Sequence, residues 1–443
     1  MGRLFGTDGI RGVANVDLTP ELAFKVGRAA SHVLARDGSR FIIGRDTRVS
    51  GEMLEAALVA AICSTGSHVL RAGVIPTPGV AYLGRTHEAV AVVISASHNP
   101  VEDNGIKFFA QDGFKLPDAV EDAIEASLDR HDLRRAAGAE VGRAQELPDA
   151  VESYADFVAS VATVSPAGLR VVVDCAHGAA CPVAPLVWER LGATVIPINA
   201  DPDGSRINVD CGSTSPEVVR RAVLQHGADI GFAHDGDADR VIAVDETGRI
   251  VDGDAIMGVC AMHMAAAGRL AGNLIVATVM SNLGLEVALR RAGIVIERTK
   301  VGDRYVLERM RELGASLGGE QSGHIIFLDH ATTGDGLITA VQVANVMMDT
   351  GRRLSELAAP IQRYPQVLKN VRVTSRDGAG AHPAVQAAVG EAERRLGARG
   401  RVLVRPSGTE PLVRVMVEAE DEAEAESLAA HLVEIIGRAV GQR

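Results

Sequence analysis

Three stretches of β-branched sequence, each leading to a polar loop, constrain this chain more than any other feature. They open at Phe41-Ile42-Ile43-Gly44, at Leu169-Arg170-Val171-Val172-Val173 and at Asn273-Leu274-Ile275-Val276-Ala277. Apolar runs without polar alternation suit strands covered on both faces, and so predict largely parallel sheets flanked by helices. Each opening strand is followed by a helix-forming run, further α/β elements and a second apolar strand that delivers a loop. The delivered loops are Ser95-Ala96-Ser97-His98-Asn99-Pro100, Asp235-Gly236-Asp237-Ala238-Asp239-Arg240 and Gly319-Glu320-Gln321-Ser322-Gly323-His324. Identity among the three stretches is low, so the expectation is a repeat of structure rather than of sequence.

The expected fold class is α/β: three similar α/β domains with mixed sheets, then a smaller C-terminal α+β domain, around a central cleft. The domains are expected at 1–150, 151–251, 252–365 and 366–443. Residues Pro117 to Pro148 read as a solvated helical separator. In the last domain, Val367–Val373, Arg401–Val404 and Leu412–Val417 read as strands and Pro383–Leu396 as a helix. Aromatics are 3% against 47% hydrophobic residues, so the cores are expected to be aliphatic. A net charge of -12 with no long basic run argues against nucleic acid or a membrane surface as partner. The five cysteines, Cys63, Cys175, Cys181, Cys211 and Cys260, lack zinc-site spacing. With no apolar leader and no spanning segment, a reduced cytoplasmic protein is expected.

Each loop carries its own chemistry. Ser97 stands on an Asn-Pro turn at a strand end, where open α/β sheets bind ligands; alternatively, Ser97 and Asn99 only satisfy turn backbone groups. Asp235, Asp237 and Asp239 can converge on one hard cation, with Mg²⁺ favoured because three carboxylates leave room for a phosphate oxygen. An exposed acidic turn is the plain alternative. An EF-hand is excluded because Arg240 stands where that loop needs glycine. Arg405-Pro406-Ser407-Gly408-Thr409-Glu410-Pro411 reads as a phosphate cradle, with Ser407, Gly408 and Thr409 in the turn and Arg405 and Arg414 as cations; it can equally be a surface turn. In an extended loop Glu320, Ser322 and His324 would share one side and suit a polar ligand; an ordinary loop turn is the equal alternative. Lys107 follows the Ser97 loop, either near its hydroxyl or as a solvated lysine, and Arg11 sits on a glycine-dense backbone that is either mobile or closely approached. Gly44-Arg45-Asp46-Thr47-Arg48 reads as an ordinary βα turn, with Asp46 or Ser50 capping the next helix.

In this order, and together with Phe5-Gly6-Thr7-Asp8-Gly9-Ile10-Arg11-Gly12, the loops resemble those of the α-D-phosphohexomutases over the full chain. The Gly319–His324 form resembles the amino-sugar branch, where other branches often carry Met at the position of Gln321. The resemblance implies a mobile last domain and phosphoserine at Ser97. It also implies one Mg²⁺ held by Asp235, Asp237, Asp239 and the phosphoserine. Lys107 and His324 are the implied general base and acid, with Arg11 and His98 beside them. Glu320, Ser322, His324 and Arg240 would contact a hexosamine phosphate, and glucosamine or glucose 1,6-bisphosphate would act as activator. The implied reaction interconverts glucosamine 6-phosphate and 1-phosphate, for cell-wall amino-sugar synthesis, in a monomer or homodimer. A glucose or mannose phosphate mutase, a sugar phosphatase and a phosphosugar sensor remain as alternatives. His177, in Cys175-Ala176-His177-Gly178, departs from the Asn common in the family.

Overall fold

The computed structural model describes residues 3–6, 8–35, 39–373, 382–406 and 412–440. The chain divides into two compact units, Met1–Met280 with Ile294–Ala359, and Ser281–Gly293 with Pro360–Arg443.

The larger unit begins with β1 (Ile10–Val13), α1 (Pro20–Leu34), β2 (Arg40–Arg45), α2 (Ser50–Cys63), β3 (His68–Val74), α3 (Thr77–Thr86), β4 (Val90–Ile94), β5 (Asp103–Phe109), α4 (Asp118–Ala126) and β6 (Ala144–Glu146). Its six strands lie in the order β1-β5-β4-β2-β3-β6. After α5 (Ala150–Ser160) come β7 (Arg170–Asp174), α6 (Ala184–Arg190), β8 (Thr194–Ile198), α7 (Glu217–His226), β9 (Ile230–His234), β10 (Val241–Asp245) and β11 (Ile250–Val251), in a sheet ordered β11-β10-β9-β7-β8. The third sheet, β13-β12-β14-β15, holds β12 (Leu274–Thr278), β13 (Val295–Thr299), β14 (Leu317–Gly319) and β15 (Ile325–Phe327); α8 (Gly253–Ala266), α10 (Asp303–Leu313), α11 (Gly336–Thr350) and α12 (Leu354–Ala358) accompany it, and α9 (Leu283–Arg291) follows β12 in the chain.

The three sheets repeat one topology. In each, two strands pair parallel with the opening strand and a fourth returns antiparallel: β2 with β3 and β4, then β5; β7 with β8 and β9, then β10; β12 with β13 and β14, then β15. The polar loops read from sequence are the turns of these three final hairpins. The strands feeding them are deeply buried, every residue of β4, β9 and β14 included, as continuous apolar runs require. Side chains cap several helices: Thr19 accepts from Leu22 N at 3.3 Å, Asp252 from Ala255 N at 3.1 Å and Asp335 from Leu337 N at 3.0 Å.

The smaller unit holds β16 (Gln366–Arg372), α13 (Pro383–Leu396), β17 (Gly400–Pro406), β18 (Leu412–Ala419) and α14 (Glu422–Val440), with an antiparallel sheet ordered β16-β18-β17. Helix α9, expected in the third domain, clusters with this unit.

Two local expectations are corrected and a third is resolved. The Pro117–Pro148 stretch is helical in α4 and in one short turn of 3-10 helix at Gly138–Glu140, and its end supplies β6, whose exposed side chains give no apolar pattern. Arg11 lies on a paired strand, opposite Gly105, so of the two expectations for its backbone the close approach is the one realised. No side chain caps α2: Asp46 turns instead toward Arg48 and Ser95, and the Ser50 hydroxyl accepts from Asn104.

Candidate active site

Ser97 sits in the β4–β5 turn with a left-handed backbone, φ 53°, and is 1% exposed. Its hydroxyl donates to Asp235 Oδ2 at 2.5 Å, and His98 Nδ1 lies 3.2 Å from the same oxygen. With the hydroxyl proton on Asp235's side, the imidazole is the donor to Ser97. Burial first, then Arg240 and Arg11, lower the His98 pKa to about 4, so the ring is neutral at pH 7.

The β9–β10 turn brings Asp235, Asp237 and Asp239 together, with one ligand oxygen of each inside a 4.8 Å span. All three are buried. Burial, followed by the Asp239 and Asp237 charges, pushes the Asp235 carboxyl well above the ordinary range. Burial acts the same way on Asp239, but His324, Lys107 and Arg240 outweigh it and hold that carboxyl low. Thr77, at the start of α3, donates to Asp237 Oδ2 at 2.6 Å, and Lys107 Nζ donates to the same oxygen at 3.1 Å. Among the described residues, Asp237 Oδ1 and Asp239 Oδ1 are buried without a hydrogen-bond partner. Three converging carboxylates, two of them with an oxygen that has no hydrogen-bond partner, fit a small divalent cation, and the Ser97 hydroxyl stands at the edge of the set.

Lys107, on β5, reaches these carboxylates, with Asp239 Oδ2 at 3.9 Å. Burial lowers its proton affinity and Arg11 works in the same direction, but Asp237 and Asp239 outweigh both and raise the pKa. A lysine acting as a base needs the opposite shift, so that role depends on a bound cation taking over the carboxylates.

Beside this centre is a solvent-open pocket of about 590 Å³, with Arg11, Arg240, Glu320, His324, Asp8 and Asp303 among its lining residues. Arg11 donates to Asn99 Oδ1 at 3.3 Å and Asp8 Oδ2 at 3.2 Å. Arg240 Nε lies 3.7 Å from Asp239 Oδ1. The Glu320–His324 segment is a tight turn, not an extended loop: Glu320 N donates to His324 O at 2.9 Å and Gly323 takes φ 90°. Alternation therefore does not hold; Glu320 and His324 line the pocket, while Ser322 is exposed, 3.5 Å from Glu320 Oε2.

His324 is pulled two ways. Burial disfavours its charge, but Asp239 and Asp303, with ring nitrogens at 3.4 and 3.5 Å, raise its pKa to about 9. Gly334 N–H, however, donates to Nε2 at 3.1 Å, which requires that lone pair. The directed bond favours the neutral Nδ1–H tautomer, and protonation breaks the Gly334 contact.

Several site residues carry no signal in the sequence. Asp8 and Asp303 are joined by Lys115, and Thr77 and Arg48 act through tertiary contacts. A carboxylate or guanidinium whose partners come from distant segments has no spacing signature. His177 has φ 52°, a conformation Asn favours, and its Nδ1 lies 2.8 Å from Asp201 O. The Thr47 hydroxyl donates to the His177 carbonyl at 2.6 Å, so His177 braces the turn rather than the pocket. In the smaller unit, Arg405 and Arg414 are cross-strand partners; burial and then Arg414 lower the Arg405 pKa. Ser407, Gly408 and Thr409 lie outside the described residues.

Comparison with known proteins places these loops in a family. Residues 2–135, 152–248 and 252–364 match the phosphoglucomutase/phosphomannomutase α/β/α domains I, II and III, and residues 368–435 match its C-terminal domain. A phosphoglucosamine mutase of Desulforamulus reducens is 57% identical, covering 99% of this chain and 100% of the relative. One of Saccharopolyspora erythraea is 56% identical, covering 98% and 99%. Among solved structures, a Burkholderia thailandensis phosphoglucomutase/phosphomannomutase family protein superposes with a TM-score of 0.84 at 23% identity, over 99% of this chain and 97% of its own. An Aspergillus fumigatus N-acetylphosphoglucosamine mutase, solved with GlcNAc-6P and magnesium, gives 0.66 at 19% identity, over 99% and 96%. The chain belongs to the phosphoglucomutase/phosphomannomutase family, and within it to the phosphoglucosamine mutases.

Proposed function

We propose that this chain interconverts glucosamine 6-phosphate and glucosamine 1-phosphate by passing a phosphoryl group through Ser97. The observation that carries this reading is the Ser97 hydroxyl, 2.5 Å from Asp235 inside the buried three-carboxylate set. Relatives 56% to 58% identical over nearly the whole chain support the choice of sugar.

In the forward direction, the Oγ–P bond of phosphorylated Ser97 breaks as the sugar's 1-hydroxyl oxygen bonds to phosphorus. The hydroxyl proton leaves to a base and the serine oxygen takes a proton. The bisphosphate then turns, and its 6-phosphoryl group returns to Ser97. Mg²⁺ held by Asp235, Asp237 and Asp239 would supply charge neutralisation at the phosphoserine. Arg11 and Arg240, lining the pocket, oppose the charge on the transferring group. Lys107, His324 and His98 are the proton carriers within reach of the centre. Glu320 accepts from the sugar, with Ser322 beside it. Arg405, Ser407, Gly408, Thr409 and Arg414 hold the phosphate that is not reacting. A hexose 1,6-bisphosphate, of glucosamine or glucose, primes Ser97. Boundaries after residues 150, 251 and 365 and a cytoplasmic setting belong to the same reading.

Intact-mass measurement, paired with an isomerisation assay on glucosamine, glucose and mannose 6-phosphates, tests it. A phosphoryl adduct, lost in Ser97→Ala together with turnover, and preference for the amino sugar are expected. Ser97→Ala with parent activity would sink the carrier assignment. Release of inorganic phosphate without a 1-phosphate product would mark a phosphatase.

A further inference from the structure

Arg48 is fully buried, and each of its five N–H donors has its own acceptor. Nε donates to Asp46 Oδ2 at 3.0 Å. Nη1 donates to the Pro100 carbonyl and, at 2.9 Å, to that of Asp103. Nη2 donates to Ser97 O at 3.0 Å and Asn99 O at 2.8 Å. Three carbonyls of the β4–β5 turn and that of the first β5 residue are thus turned toward one guanidinium. Asn208, which arrives from the second sheet's segment, adds a donor to Ser97 O at 2.8 Å and Asn99 O at 3.3 Å.

The same group reaches the other side of Ser97. Asp46 accepts the Ser95 hydroxyl at 2.6 Å, and Ser95 Oγ accepts Ser97 N–H at 2.9 Å. Both peptide groups flanking Ser97 are therefore fixed through the Asp46–Arg48 pair, while its backbone holds φ 53°. A non-glycine residue stays in that region when its surroundings over-determine it, and such positions cluster where function needs a fixed geometry. Carbonyls drawn to one side leave the Ser97 hydroxyl on the other, against Asp235.

We propose that Arg48, with Asn208 as a second donor, is a positioning residue for phosphoryl transfer: it holds the Ser97 turn so that Oγ faces the carboxylate centre. The proposal rests on Ser97 being the phosphoryl carrier. Lysine keeps the charge but offers three donors from one point, so it cannot reproduce a planar five-donor contact.

Arg48→Lys and Asn208→Gly test this. Glycine suits the left-handed backbone at Asn208, φ 61°, and removes the side chain with its amide donor without straining the turn. Each variant is assayed for kcat and KM with glucosamine 6-phosphate, for the rate of Ser97 phosphorylation by glucose 1,6-bisphosphate using intact mass, and for folded fraction by circular dichroism. Expected are falls in kcat of about 100-fold and about 10-fold, the sizes that an ångström-scale misplacement produces. KM should stay within about threefold, and phosphorylation should slow by the same factors as kcat. The proposal is overturned if kcat stays near the parent's, or if its loss only tracks the folded fraction. Should Arg48→Lys fail to fold, Asn208→Gly decides by the same criteria. Ser97→Ala, run alongside, separates the two ideas: turnover without Ser97 defeats the carrier reading, whereas inactive Ser97→Ala with normal Arg48→Lys and Asn208→Gly defeats this one.

Discussion

Gly236 lies between two of the clustered aspartates, and a Cβ there would stand 2.6 Å from the Ser97 carbonyl and 2.9 Å from Asn208 Nδ2. The first neighbour is backbone already fixed by Arg48, so it cannot yield cheaply. Gly236→Ala is expected to cost about 1–3 kcal/mol, as overpacking does, and to lower kcat more than KM, because the pushed atom belongs to the Ser97 turn. Urea unfolding and steady-state kinetics check both; unchanged kcat in a destabilised protein would show that the turn moves without consequence. The same contact shows what a sequence can and cannot display at this scale. Ser97 and the three aspartates were legible because their chemistry is local: a hydroxyl on a turn, carboxylates two residues apart. Arg48 and Asn208 were not, because their partners are carbonyls of a turn some fifty and a hundred residues away, and any residue supplies a carbonyl.

At the scale of elements, the opening parallel strands and the C-terminal helix and strands were readable from apolar runs. The antiparallel return strands were not. β5 begins in Asp103-Asn104-Gly105, which resembles a turn, yet it pairs with β1 and β4 because Gly105 lets the backbones close; a Cβ there would meet Ser95 O at 2.5 Å. Helix α11 carries a further consequence. Its cap Asp335 accepts from Leu337 N, Ile338 N and, at 2.7 Å, from the Tyr154 hydroxyl of α5. Burial raises its pKa to about 6 despite these bonds. The unfolded chain loses that proton near the ordinary Asp value, so between about pH 4 and pH 6 the folded state holds the extra proton. Stability contributed at this site therefore falls as pH rises through that window and is level above it, a change of at most roughly 3 kcal/mol. Asp335→Asn keeps a capping oxygen and has no proton to lose. Its stability relative to the parent is expected to rise between about pH 4 and pH 6, measured as the difference in urea midpoints; a constant difference across that range would remove Asp335 as the source.

At the scale of the whole molecule, the chain's order and its packing part company. A division by sequence puts residues 281–293 in the third domain, because they link β12 to β13 in an unbroken repeat. They pack instead with the C-terminal unit. The reason is Glu418, on β18, which is fully buried. Its carboxylate accepts from Arg401 Nε at 2.5 Å, Asn282 Nδ2 at 3.1 Å and Leu283 N at 3.0 Å, and Arg401 Nη2 donates to Ser281 O at 2.6 Å. Asn282 is also the cap of α9, so one carboxylate ties that helix's start to the sheet. No hydrophobic period announces such an attachment, since a lone Glu in an apolar strand reads as an edge residue. Removing Glu418 leaves the Asn282 and Leu283 donors without that acceptor and the partly exposed Arg401 without its partner, at about 1–3 kcal/mol for each buried donor left unpaired. Glu418→Ala should therefore speed amide hydrogen exchange in α9 and in β16–β18 together, while β2–β5 of the larger unit keep their protection. Faster exchange in the sheet with α9 unchanged would mean that the helix is held by its own Asn282 cap, and that Glu418 serves only Arg401.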